Sequence, residues 1–180
     1  MTTSVHEPLI DEARNGSIEA LERLLESVWP DTFRIAYSIV RDHAAAEDAA
    51  QDACAIVYRK IATLQSAAAF RVWLYRIVVR EAKRAQIRLT VPENPLIIDS
   101  AAGTEAALDV RHALESLSRD LRAVVILHYY AELTSKEIAA VLNATASTVR
   151  FRLMIARRKL KPLLEERSGH RTAAQTKEHS

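Results

Sequence analysis

At 180 residues the chain has room for one domain or two small ones, and with 49% hydrophobic residues it can bury real cores. Few glycines among many alanines and leucines predict an all-α protein, and a lone Cys54 excludes an internal disulfide framework and fits a reducing compartment. The net charge of +2 hides an asymmetry. Residues 7–52 are rich in acids, residues 71–88 carry Arg71, Arg76, Arg80, Lys83, Arg84 and Arg88 against Glu81 alone, and residues 150–161 carry only bases. Such a distribution predicts an acidic docking surface in one place and polyanion-binding surfaces in others.

In chain order, residues 1–14 read as a flexible N-terminus without the charge, apolar core and small-residue order of a signal peptide. No apolar stretch reaches the length of a bilayer span, so a cytoplasmic protein with no membrane insertion is expected. Ile18, Leu21, Leu24, Leu25 and Val28 keep helical spacing, and Pro30 in "WPD" predicts that this helix stops there. Asp31 then caps a second helix to about Val40, built on Phe33, Ile35, Ala36 and Ile39. A third helix is predicted over about 45–62 and a fourth over about 68–89. "TVPENPLIIDSAAGT", residues 90–104, has two prolines, a glycine and an asparagine and reads as an interdomain linker. Four more helices follow near 105–116, 119–131, 135–142 and 146–165, and the polar residues 167–180 read as disordered. The expected organisation is two small helical domains, 15–89 and 105–166, joined by a flexible linker.

The second domain holds the sharpest pattern. Thr134 and Glu137 fit a capping box, Ile138, Ala139 and Leu142 form an inward face, and Asn143 suits a left-handed turn. Thr145 caps the next helix, whose Val149, Leu153, Ala156, Leu160 and Leu164 make a narrow apolar stripe. Opposite that stripe lie Ser147, Arg150, Phe151, Met154 and Arg158, with Thr148 near the helix start and Arg157 and Lys161 flanking. A solvated basic face on an ordinary helix pair is the alternative. The cap, the small Ala139 that lets another helix cross closely, the turn asparagine and the basic outer face together favour a helix-turn-helix that reads duplex DNA in the major groove.

"LSRDLRAVVILHYYAELTSKEIAAVLNATASTVRFRLMIARRKLKPLL" resembles domain four of bacterial sigma-70 family factors, in the extracytoplasmic-function subfamily. In the first half, "AAEDAAQDACAIVYRKI" is similar to the domain-two helix of the form A-E-D-x-x-Q-[DE], and "AFRVWLYRIVVREAKR" to the F-x-x-W-L-x-R-I stretch after it. The resemblance spans about residues 15–165. It implies a factor that binds core RNA polymerase, directs it to a promoter and opens the duplex, and whose subfamily usually works with an anti-sigma protein. Glu47, Asp48, Gln51 and Asp52 form an acidic face suited to a basic partner, with ordinary helix solvation as the alternative. In the family, the positions matching Asp48, Gln51 and Asp52 grip the coiled coil of the largest polymerase subunit.

On the fourth helix Trp73, Leu74 and Ile77 are expected in the core, leaving Arg76, Arg80, Lys83 and Arg84 to follow a DNA backbone. The family holds an extruded base of the −10 element in a pocket built by the loop before "AF". Here that loop, "LQSAAAF", offers only Gln65 and Ser66 as polar readers, the main departure from the pattern. Cys54 and Tyr58 stand where large aromatics are common, Ser118 for a usual proline, Ser147 for a glycine and Phe151 for a small polar residue.

His6, His43, His112, His128, His170 and His179 show no metal-ligand spacing, no glycine-rich phosphate loop is present, and no catalytic constellation emerges. A non-enzyme without cofactors is therefore expected. Two competing readings are a stand-alone helix-turn-helix regulator that prefers a palindrome, and a degenerate sigma-like interaction protein that binds polymerase without opening DNA.

Overall fold

The computed structural model describes residues 3–89 and 112–177, with side chains described over 7–89 and 112–162. The linker 90–104 and most of the helix expected at 105–116 lie outside the described residues. Helices α1 (Thr3–Arg14), α2 (Ile18–Val40), α3 (His43–Lys60) and α4 (Phe70–Arg88) form the first half. Short 3-10 turns, Ile61–Thr63 and Ala67–Ala69, join α3 to α4. A helical turn at 112–115 precedes α5 (Arg119–Val125), which widens into π-helical turns over Ile126–Tyr130. Then come α6 (Ser135–Leu142) and α7 (Ala146–Lys177). No strand occurs among the described residues, and no single helix there is long and apolar enough to cross a membrane.

Three expectations are corrected. Residues 3–14 are a helix rather than a flexible end. Ile10 and Ala13 are buried in the first core, and Gly16, at φ 100°, makes the turn into α2, where Ser17 accepts from the Ala20 N–H. Pro30 does not end a helix. Leu21, Leu24, Thr32, Ile35 and Ile39 are buried along one face of α2 on both sides of it, and that continuous stripe outweighs the one N–H that proline withholds from the exposed Glu26 carbonyl. Finally, α7 runs to Lys177, past the expected end near 165 and through most of the tail 167–180 expected to be disordered, with Ala173, Ala174 and Gln175 as its helix formers against Gly169, Thr172 and Thr176.

Asp42 caps α3 by accepting the Ala45 N–H at 2.8 Å. The inner face of α3 is Ala46, Ala49, Ala50, Ala53 and Val57, all buried. Small side chains let α2 and α4 approach closely, so the opposite face of α3 stands out from the body. Ala53→Leu forces four-carbon bulk into this seam and is expected to lower stability by about 1–3 kcal/mol, read from a denaturant midpoint.

The two halves pack on each other. One apolar cluster runs from Ile10 through Val78 and Ala82 of α4 to Ile138, Ala139, Val149 and Leu153 of α6 and α7. Polar contacts tie the same seam. Arg71 donates to the Ala131 carbonyl, Arg76 Nε to the Ala140 carbonyl at 3.2 Å, and Arg122 Nη1 to the Ser38 carbonyl at 3.2 Å. Arg41 pairs with Glu115 at 3.0 Å, the Tyr130 hydroxyl donates to Asp31, and Arg34 lies over the Tyr130 ring at 4.5 Å. A second, smaller cluster of Leu117, Leu121, Val125 and Ala156 holds α5 to α7.

Candidate nucleic-acid and protein interfaces

The helix-turn-helix is built by local chemistry. The Thr134 hydroxyl accepts the Glu137 N–H at 3.3 Å while the Glu137 carboxylate accepts the Thr134 N–H at 2.8 Å. Hydrogen bonds from the Thr134 hydroxyl and then its N–H hold the Glu137 carboxyl below its ordinary range. Asn143 is left-handed at φ 52°, and its N–H closes α6 on the Ala139 carbonyl. Thr145 starts α7 by accepting the Thr148 N–H at 3.1 Å, with Ser147 Oγ 2.8 Å from the same hydroxyl.

Val149, Leu153 and Ala156 are buried and Leu160 half-buried, so one side of α7 is spent on packing. Thr145, Ser147, Arg150, Phe151, Met154, Arg157 and Arg158 are exposed, and Thr148 is half-buried. Phe151 and Met154 are 58% and 46% exposed and, three residues apart on the helix, make a small apolar patch on an otherwise basic face. A cleft of about 440 Å³ opens between the start of α6 and this face, lined by Ser135, Arg150, Met154, Arg157, Arg158 and His128. Arg157 is braced: its Nε donates to the Tyr129 hydroxyl at 2.7 Å. His128 is half-buried with Nδ1 3.1 Å from the Leu133 carbonyl, a satisfied histidine at the edge of the cleft.

On α4, Leu74 and Ile77 are buried, and Trp73 is half-buried with its ring 6.2 Å from Phe70. Arg76, Arg80, Lys83 and Arg84 are exposed on one stripe, but they are not equivalent. Arg76 is tied to α6 through Ala140, and Lys83 lines a cleft against Arg119, Asp120, Leu142, Asn143 and Arg152. Arg80 and Arg84 stand together on Glu81. Arg80 Nε donates at 2.8 Å and Arg84 Nη1 at 3.0 Å to the Glu81 carboxylate, which is 4% exposed. Burial pushes the Glu81 carboxyl up, and the hydrogen bonds and charges of the two arginines together bring it below its usual range. Glu81, read in the sequence only as the lone acid among bases, is the bracket that orients the pair. Its spacing of three residues from Arg84 on a helix was the available signal.

On α3, Asp48, Gln51 and Asp52 are exposed opposite the alanine face. Glu47 sits to one side, 4.0 Å from His43 Nδ1. The segment 64–69 is anchored by buried Leu64 and followed by buried Phe70, with Gln65, Ser66, Ala68 and Ala69 exposed between. Arg14, expected in a flexible end, reaches this segment from α1.

Two family models match the chain: sigma-70 region 2 over residues 24–88, and sigma-70, region 4, over residues 107–160. The RNA polymerase sigma-H factor of Pseudomonas aeruginosa is 24% identical over 196 residues, covering 92% of this chain and 99% of that protein. The ECF RNA polymerase sigma factor SigM of Mycobacterium tuberculosis is 30% identical over 155 residues, covering 83% of this chain and 79% of that protein. Among solved structures, the sigma factor RpoE in complex with the anti-sigma factor NepR from Bartonella quintana superposes with a TM-score of 0.69 at 25% identity, over 82% of this chain and 98% of that one.

Proposed function

The chain belongs to the sigma-70 family of RNA polymerase sigma factors, in the extracytoplasmic-function subfamily, and on that premise we propose how its surfaces divide the work. Asp48, Gln51 and Asp52, with Glu47 at the margin, meet a basic surface of core RNA polymerase. The start of α7 enters the major groove at the −35 element. There Arg150 reads a base edge, Ser147 and Met154 line the groove, and Phe151 meets a thymine methyl. Thr145, Thr148, Arg157 and Arg158 hold the flanking phosphates. Arg80 and Arg84 follow the backbone at the −10 element, joined by Arg76 and Lys83 once α6 moves away.

The observation that carries this reading is the exposed Ser147, Arg150, Phe151 and Met154 opposite the buried Val149–Leu153–Ala156 stripe, at the N-terminal end of a capped recognition helix. The polymerase supplies the chemistry, so the chain acts as a non-catalytic, cytoplasmic subunit. The exposed Phe151 and Met154 beside so many bases also suit a helical, partly acidic anti-sigma partner, which would cover the DNA-reading face.

Transcription in vitro from purified core polymerase tests the whole. Activity on cognate templates is expected, and tight binding to a palindrome without polymerase would instead select a stand-alone regulator. Within that assay Arg150→Ala costs about 1–3 kcal/mol on the matched −35 site and relaxes specificity at one position. Arg157→Ala weakens all sequences alike and reduces the salt slope by about 1. Identical behaviour of the two variants on matched and mismatched duplexes would remove the division between base reader and phosphate clamp.

A further inference from the structure

We infer that Arg14 is the positioning residue of the promoter-opening loop, fixing residues 64–69 in the conformation that receives an extruded base. The inference rests on the reading of that loop as the −10 pocket. One guanidinium donates to two successive loop carbonyls, Nε to Leu64 at 2.8 Å and Nη2 to Gln65 at 3.0 Å. Its remaining arm, Nη1, donates to Asp11 one turn back on α1 at 2.7 Å. The fork is therefore held at three points, and it sets the two peptide planes at the entrance of the loop.

Few side chains hold the loop. Between the buried Leu64 and Phe70 stand Gln65, Ser66 and three alanines, of which only the half-buried Ala67 packs on the core. Ser66 is extended, at φ −152° and ψ 150°, and its carbonyl accepts the Ala69 N–H at 3.1 Å, so the segment turns back into α4 without a side-chain cap. A loop of this composition loses conformational entropy when it captures a base unless its backbone is already ordered. Arg14 orders it in advance and turns both carbonyls inward toward α1, which leaves the exposed Gln65 and Ser66 as the readers. Ile10 and Ala13, 3% and 2% exposed, seat α1 on the core, so the anchor is rigid rather than a passing contact. A short alanine-rich loop can then act as a specific pocket, because its shape is supplied by a residue 50 positions away.

The test uses the full chain assembled with core polymerase on forked DNA that carries a fluorescent base analogue in the −10 element. Affinity for a promoter fork is compared with a scrambled fork, and binding to a −35 duplex serves as the internal control. Arg14→Ala is expected to lose about tenfold of the fork preference, the scale of lost preorganisation, with −35 and core binding unchanged. Arg14→Lys keeps the charge and the helix but donates from a point, so it recovers only part of the preference. Asp11→Asn gives a smaller loss of the same kind. Amide exchange at residues 65–67 rises in step with each loss. Wild-type fork preference in Arg14→Ala and Arg14→Lys, with wild-type exchange, overturns the inference while leaving the loop as the reader. A wild-type protein that does not distinguish the two forks removes the loop reading, and the inference with it.

Discussion

Asp48→Lys with Asp52→Lys is expected to weaken association with core RNA polymerase by about 3 kcal/mol, roughly 100-fold, the scale at which like charges meet across an interface. Both side chains are exposed and lie one turn apart, so a single flat partner surface meets both. Their backs are Ala49 and Ala53, at 1% and 0% exposure, and the substitutions therefore leave the packing of α3 untouched. Glu47→Lys should cost less, since that carboxylate stands toward His43 at the edge of the face. Titration of labelled protein into core polymerase measures the difference, with circular dichroism to show that α3 survives. If the double variant binds as tightly as the wild type, polymerase docks elsewhere on the chain.

What could be read from the sequence was what local chemistry decides. The capping box at Thr134 and Glu137, the left-handed Asn143 and the start of α7 at Thr145 each depend on neighbours within a few residues, and α6 and the start of α7 form where those signals put them. The failures came where distant packing overrides a local signal. Pro30 is a strong stop in isolation, yet the buried row from Leu21 to Ile39 holds α2 in one piece. Residues 3–14 carry few apolar positions, and only the loop at 64–65 and the core beneath Ile10 give them a reason to be helical. The charge count marked Arg76 and Lys83 as equals of Arg80 and Arg84. Their separation depends on where α6 lands, 64 residues along the chain from Arg76, and no window of sequence reports that.

That same seam supports the other large expectation: loosening it raises the free chain's affinity for forked −10 DNA about tenfold, with the −35 duplex bound as before. In the packed arrangement Arg76 is committed to the Ala140 carbonyl and Lys83 faces α5, α6 and α7, so half of the α4 stripe is turned away from DNA. The outer face of α7 stays open throughout. If the separated form is a minor population, apparent affinity is the intrinsic affinity scaled by that fraction, and an open share of about a tenth limits the gain to about tenfold. Tyr130→Phe with Glu115→Gln removes the contacts to Asp31 and Arg41 without touching a proposed DNA residue. An alkaline titration reads the latch at Asp31, which Tyr130 and Tyr75 share. Burial first, then the hydrogen bond and charge of Asp31, push the Tyr130 phenol up to about 12. Because the packed-state pKa is raised, the contact is fully present below the free phenol's value of about 10 and is lost as pH rises through about 12. A donor–acceptor dye pair on α3 and α7 should therefore separate across that window in the wild type, whereas Tyr130→Phe starts further apart and separates less, because Tyr75, whose phenol burial and Asp31 also push up, still titrates beside the same carboxylate. Equal dye distances in both proteins at every pH, together with unchanged affinity for the fork, would mean that the halves are held by the apolar seam and the hydrogen bonds of Arg71, Arg76 and Arg122 without help from Tyr130, and that core polymerase must pry them apart by its own contacts to α3.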